Sequence, residues 1–292
     1  MQIKTLLKNS SPLFSFEFFP PKTDEGLSAL LETVSSLKDL NPSYVSITYG
    51  AGGNTRAKTV ELVAKIKRDI GLETAAHLTC VGHSQNELKD NLTELQQKGI
   101  ENIVALRGDP PKGETRFTPA PNGFRYASEL TAFIRKNFQF SIGVAGYPEK
   151  HIESPSLESD IQHLKEKIEA GGDFVITQLF FDNAHYYSYV KRLRALGVTV
   201  PVVAGIMPIT DVEQTKRFTT MCGASIPAPL LAKLESAATD KEKIAEIGVE
   251  HSVSQCQDLL ENKVPGIHFY TLNKSRSTRE ILERLKKCGA TR

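Results

Sequence analysis

Apolar and polar positions along the chain alternate between eight short apolar or β-branched runs and longer stretches with helical spacing. The runs begin at Phe14 (FSFEFFP), Tyr44 (YVSITYG), Thr74 (TAAHLTC), Asn102 (NIVALRGD), Ser141 (SIGVAGYP), Phe174 (FVITQLFFD), Val200 (VPVVAGIMP) and Gly266 (GIHFYTLN). Short runs that are nearly continuous in hydrophobicity read as parallel strands covered by helices. Between them, Leu157, Ile161, Leu164 and Ile168 recur at helical spacing and stop at Gly171 and Gly172, the residues expected just past a helix. Ser84 with Glu87, and Thr210 with Glu213, have the spacing of capping boxes. Successive runs start 30, 30, 28, 39, 33, 26 and 66 residues apart, a strand–helix rhythm whose last interval, about 210–263, holds more than one helix.

Eight such strands can close, so the pattern predicts an α/β fold, a (β/α)8 TIM barrel forming one domain over residues 1–292, with extra helices before the last strand. A doubly wound dinucleotide-binding sheet is disfavoured because no strand leads into GxGxxG. RGDPPKGETRFTPAPNG, residues 107–123, is too rich in proline and glycine for regular structure and reads as the loop after the fourth strand.

Composition changes this picture little. The chain has 292 residues, 40% hydrophobic and 24% charged, which is ordinary for a globular protein, and a net charge of +2 calls for no polyanionic partner. No basic stripe suggests nucleic acid, and no apolar run suggests a signal peptide or a membrane span, so a cytoplasmic location is expected. Cys80, Cys222, Cys256 and Cys288 form no CxxC pair and suit free thiols.

In a barrel of this kind the site lies at the strand C-termini, where polar residues are abundant: Glu17, Thr48, Tyr49, His77, Thr79, Arg107, Asp109, Tyr147, Glu149, Gln178, Asp182, Tyr270 and Asn273. Glu17 is the unusual one, a carboxylate among four phenylalanines. Alternation puts Phe14, Phe16 and Phe18 on one face and Ser15, Glu17 and Phe19 on the other. Either Glu17 meets a basic partner or solvent, or it is an acid held partly neutral for proton transfer. His77 reads as a hydrogen-bonded core residue or a ligand contact. Without HxH or HExxH no metal site is expected. Arg107 and Asp109 read as a sheet-edge ion pair or as site residues. Gly108 and Gly113 have P-loop spacing, but Glu114 stands where the lysine is needed. Asp160, His163 and Lys167 form one helical stripe, solvated unless a ligand covers it. Asp182 reads as a helix cap.

Together FSFEFFPPKT, YVSITYGAGG, HLTC, IVALRGDPP, YAS (126–128), VAGYPE, ITQLFFD, GIMP, SIPAP and HFYTLN resemble the methylenetetrahydrofolate reductase family in its short bacterial form, in order and over nearly the whole chain. The resemblance implies a barrel flavoprotein that binds FAD without a Rossmann motif. It implies a ping-pong reaction in which NADH or NADPH passes a hydride to flavin N5 and 5,10-methylenetetrahydrofolate takes it from the same face. The product, 5-methyltetrahydrofolate, serves one-carbon metabolism and methionine biosynthesis. By this likeness Glu17 is the general acid for opening the folate ring, with the phenylalanines keeping it protonated, and Asp109 anchors the pterin and adjusts the flavin. Thr48, Tyr49, Ala51, His77, Arg107, Gly108, Asp109, Ala127, Tyr147, His151, Asp160 and Lys167 match cofactor-contacting positions. Gln178, Gln214, Phe218 and Lys274, with Asp109, match folate-side positions.

Lys274 stands where bacterial relatives carry an arginine, which exchanges a planar fork for a point charge. His163 and Glu166 also depart from the pattern. The resemblance further implies a homo-oligomer without nucleic-acid or membrane partners, and no C-terminal regulatory domain is expected. Two alternatives from other classes are a folate-binding or assembly subunit that has lost hydride transfer and a metal-dependent lyase built on His77.

Overall fold

The eight apolar runs become strands that start within two residues of their predicted positions. They are β1 Leu13–Phe18, β2 Tyr44–Ile47, β3 Thr74–Thr79, β4 Asn102–Leu106, β5 Ser141–Gly146, β6 Phe174–Thr177, β7 Val202–Ile206 and β8 Gly266–Tyr270. In the computed structural model, which describes residues 1–9, 11–49, 56–110, 113–114 and 116–289, each strand pairs in parallel with its neighbours and β8 closes on β1. The result is the eight-stranded α/β barrel predicted from the strand rhythm.

The helices are α1 Ile3–Leu6, α2 Asp24–Ser36, α3 Arg56–Lys65, α4 Gln85–Gln97, α5 Ala127–Asn137, α6 Leu157–Glu169, α7 Asn183–Ala195, α8 Val212–Cys222, α9 Ala228–Ser236, α10 Lys241–Glu261 and α11 Arg276–Lys287. The last interval between strands thus contains α8, α9 and α10. Ser84 and Glu87 form the predicted capping box of α4, and Asp182 caps α7 by accepting from the Ala184 N–H at 2.9 Å. The capping box expected from Thr210 does not form. Asp211 caps α8 instead, accepting from the Gln214 N–H at 2.7 Å, because the helix starts one residue later than the spacing suggested.

Alternation along the strands separates two apolar layers. Phe16, Phe18, Val45, Ile47, Ile103, Val144, Val202 and Phe269 face the surrounding helices and pack with residues such as Val34, Val63, Leu92 and Ile281. Leu13, Tyr44, Ala75, Val104, Phe174, Ile176 and Val203 form a separate cluster with Ile3 and Leu7. A cluster drawn from six strands can only fill the lumen, and Ile3 and Leu7 close its lower end. A third cluster joins Leu179, Phe181, Met207 and Ile209 to Leu230, Leu234 and Ile244, building the extra helices as a shoulder over the C-terminal ends of β6 and β7.

Candidate active site

Glu17 is one residue from the end of β1, on the lumen face, where its side chain is 9% exposed. The two phenylalanines flanking it in β1, Phe16 and Phe18, are on the opposite face, so they do not surround the carboxyl. Its neighbours come from three other strands. His268 of β8, fully buried, places Nε2 3.2 Å from Glu17 Oε2, and the Ser46 hydroxyl of β2 lies 3.5 Å from the same oxygen. His77 Nε2 of β3 approaches it to 3.3 Å without hydrogen-bond alignment. The second nitrogen of His268, Nδ1, meets the Ser15 hydroxyl at 2.7 Å, and Tyr44 stacks on the ring with centroids 6.0 Å apart.

This geometry corrects the expectation of a carboxyl kept neutral by phenylalanine. Burial pushes the Glu17 pKa up, but the field of His77 and the hydrogen bond and field of His268 outweigh it and hold the carboxyl below its ordinary value. Burial acts in the opposite sense on the His77 imidazole, lowering its pKa against the pull of Glu17. Glu17 and His77 are therefore coupled, with the negative charge favoured on the carboxylate.

The other side of the mouth is a wall of cations and aromatic rings. Lys167 of α6 donates to the Ala145 carbonyl at 2.5 Å, with Nζ 6.0 Å from the centre of the Tyr147 ring. Burial lowers its pKa to about 8, partly opposed by Asp160. Burial also raises the Asp160 carboxyl, while Lys167 and the His151 backbone N–H draw it down. His151 packs edge-on against Tyr147 with centroids 4.7 Å apart. The Tyr147 hydroxyl is pushed up by burial and then by the charges of Asp109 and Asp160, so Asp109, itself exposed, acts on the same wall.

The predicted stripe on α6 divides. Asp160 and Lys167 are about 20° apart around the helix and border its apolar face, whereas His163 is roughly 60° from Asp160 and about 40° from Lys167, on the side away from the apolar stripe. Asp160 is accordingly buried, and the His163 side chain, at 62% exposure, is solvated.

Arg107, just past β4, is fixed from several directions. Nη2 donates to Glu153 at 2.8 Å and Nη1 to the other oxygen of the same carboxylate, while the guanidinium carbon sits 5.1 Å from the Phe117 ring centre. Gly108 follows at φ +87°, where an added Cβ would come within 2.7 Å of Val81, so this turn admits only glycine without displacement.

Thr48 hydrogen-bonds through its N–H to Phe18, the Tyr49 hydroxyl meets His83 at 2.9 Å, and Ala127 opens α5. Ala51 lies outside the described residues. On the folate side of the prediction, Gln214 and Lys274 line one cleft of about 490 Å³ together with Thr210, Asp211, Glu213, Arg217 and Lys241. Phe218 packs into the third apolar cluster, and Gln178 turns its side-chain oxygen back to the Leu179 N–H at 2.9 Å. The structure thus gathers Glu17 with His77, and Tyr147 with His151, Asp160 and Lys167, while Gln214 and Lys274 meet in a separate cleft. Among the described residues no cluster of three metal-ligating side chains occurs, and no helix is long and apolar enough to cross a membrane.

Sequence reasoning missed His268, Ser46 and Glu153. His268 carried a readable signal, because it is two residues before Tyr270 and therefore shares its face of β8. Glu153 carried none, since a loop residue's target depends on how the loop folds.

Comparison with known proteins adds the following. The family model described as methylenetetrahydrofolate reductase matches residues 2–286. An Escherichia coli 5,10-methylenetetrahydrofolate reductase is 36% identical over 271 residues, 93% of this chain and 90% of that one. An Arabidopsis thaliana methylenetetrahydrofolate reductase (NADH) is 37% identical over 97% of this chain, which spans 50% of the plant protein's length. A Clostridium thermocellum protein solved with two copies of 5-methyl-5,6,7,8-tetrahydrofolic acid superposes with a TM-score of 0.64 at 17% identity, covering 98% of each chain, a likeness of fold.

Proposed function

The chain belongs to the methylenetetrahydrofolate reductase family, and from that premise we propose that it reduces 5,10-methylenetetrahydrofolate to 5-methyltetrahydrofolate with FAD as resident cofactor and NADH or NADPH as donor. The observation that carries this reading is the pairing, across one barrel mouth, of a buried acid–imidazole set with a wall of cations and aromatic rings.

The residues present fit a flavin. Two buried polar atoms at the end of β3, His77 Nε2 and Thr79 Oγ1, have no hydrogen-bond partner among the described residues, which suits the polar edge of a flat heterocycle. Arg107, His151 and Lys167 supply donors for ribose and diphosphate oxygens, with Tyr147 and Ala127 as flanking surface. FAD held there would supply a two-electron carrier between nicotinamide and folate.

The chain's own part is binding and proton placement. Ring opening of the folate requires a proton on the departing nitrogen, and Glu17 delivers it. A bound substrate that displaces water from the mouth strengthens the burial that pushes the Glu17 carboxyl up, which favours its protonated form against the imidazole field. Asp109 and Gln178 orient the pterin, and Gln214, Phe218 and Lys274 take the remainder of the folate, with Lys274 acting as a point charge.

The direct test is a visible spectrum of the purified protein, followed by anaerobic NADH or NADPH and then methylenetetrahydrofolate. Flavin absorbance is expected to bleach with the donor and return with the folate. A colourless protein that cannot be reconstituted with FAD overturns the reading.

Lys167 yields a pH dependence. Its pKa of about 8 means that the free protein loses this cation as the pH rises through that value, with Asp160 left nearby. The dissociation constant for FAD, read from flavin fluorescence quenching, is expected to rise severalfold between about pH 7 and pH 9.5. Lys167→Met is expected to bind FAD more weakly at pH 7 and to show a flatter profile. Equal slopes in the two proteins would remove Lys167 from the site.

A further inference from the structure

Glu153 lies in the loop between β5 and α6, outside every position that the sequence resemblance marks. Its two ends perform different tasks. The carboxylate grips both terminal nitrogens of Arg107, the bidentate geometry in which an arginine is held in orientation as well as in charge. The backbone N–H donates to His151 Nδ1 at 3.1 Å. That bond makes Nδ1 the acceptor and leaves the proton of the neutral ring on Nε2. Neutrality itself is favoured by burial and by the nearby Arg107 charge, which lower the His151 pKa.

Two-pronged pairs also join Arg276 to Glu242 and Arg279 to Asp39, but the Arg107 side chain, 21% exposed, is the most enclosed of these three arginines. Arg107 is also held by its own turn, Nε donating to the Gly108 carbonyl at 3.3 Å, and by the Phe117 ring beneath the guanidinium. By contrast, Glu158 meets Arg192 through a single hydrogen bond at 2.7 Å between side chains 70% and 48% exposed, the kind of contact that contributes little.

We infer that Glu153 is a positioning residue for the cofactor wall: through one loop residue it sets the plane of Arg107 and the tautomer of His151, so that both present donors to the same anionic ligand. This inference rests on the flavin reading above. The geometry implies a division between side chain and backbone. Substituting Glu153 leaves Arg107 only the long Gly108 bond and the Phe117 ring, so the guanidinium loses its fixed plane, while the His151 bond, made by the main chain, persists. Removing the carboxylate also lifts its repulsion toward a phosphate, yet the loss of arginine orientation dominates, because a mobile guanidinium must be ordered again when ligand binds.

The experiment measures FAD binding to apoprotein by fluorescence quenching for wild type, Glu153→Gln, Arg107→Gln and the double variant, with Glu158→Gln as a surface-pair control. Melting temperatures of the same apoproteins are recorded alongside. Glu153→Gln is expected to weaken FAD about tenfold with an apoprotein melting temperature close to wild type, and to add almost nothing in the Arg107→Gln background. Glu158→Gln is expected to bind as wild type does. Wild-type affinity in Glu153→Gln, tighter binding, or additive losses in the double variant would each overturn the inference while leaving the flavin reading intact. If Glu153→Gln melts early and binds weakly, Glu153→Asp decides: an apoprotein restored in stability but not in affinity supports positioning, and recovery of both together refutes it. Failure of the wild-type protein to take up FAD would overturn the flavin reading, and the inference with it.

Discussion

Replacing Glu17 with glutamine is expected to leave flavin reduction by NADH or NADPH nearly unchanged while reduction of methylenetetrahydrofolate falls about 100- to 10,000-fold, the usual range for a positioned acid or base. Glutamine has almost the same shape and still meets His268 and Ser46, so the lumen stays filled and the fold is retained. What it lacks is an exchangeable proton at the oxygen that faces His77 and His268. Only the step that opens the folate ring needs that proton, so the two half-reactions should separate. Anaerobic stopped-flow following flavin bleaching and recovery measures each in turn. Equal losses in both would take Glu17 out of the proposed acid role and return it to a structural one.

The second large effect concerns Gly205 of β7. The Tyr270 side chain crosses this strand to donate its hydroxyl to the Thr177 carbonyl at 2.6 Å, and the Gly205 N–H donates to the Thr177 hydroxyl at 2.9 Å. A Cβ on Gly205 would fall 2.2 Å from the Thr177 carbonyl oxygen and 2.8 Å from the Tyr270 ring. Neither can yield cheaply, because one is strand backbone and the other is a half-buried ring anchored by its hydroxyl. Gly205→Ala is therefore expected to destabilise by about 2–4 kcal/mol, combining overpacking with the lost hydrogen bond. For a chain of this size that lowers the melting temperature by roughly 3–7 °C. Tyr270→Phe, which removes only the hydroxyl, should cost about 1 kcal/mol. If Gly205→Ala melts like wild type, the close crossing of Tyr270 over β7 is not a constraint on folding.

Some of this site is legible in one dimension. Alternation in β1 puts Glu17 on the face away from Phe16 and Phe18, and the closed barrel turns that face into the lumen. The same parity argument, applied to β8, points His268 inward with Tyr270. Helical spacing groups Asp160 with Lys167, but only the position of the apolar stripe relative to them decides that this pair is covered and His163 is not. Thr210 and Glu213 show the limit of spacing rules. Both Thr210 and Asp211 can cap a helix, and the choice between them is made by how β7 delivers the chain into α8.

The strand rhythm, the alternation within strands and the family resemblance were determined by the sequence, because the periods of 2 and 3.6 residues and the order of motifs are local properties of the chain. The electrostatic character of the site was decided by tertiary structure alone. His268 is 251 residues from Glu17 along the chain, and only the closure of β8 onto β1 brings its imidazole within 3.2 Å. A sequence shows which groups can ionise. The sign of a pKa shift depends on distances and burial, which do not exist until the barrel has closed.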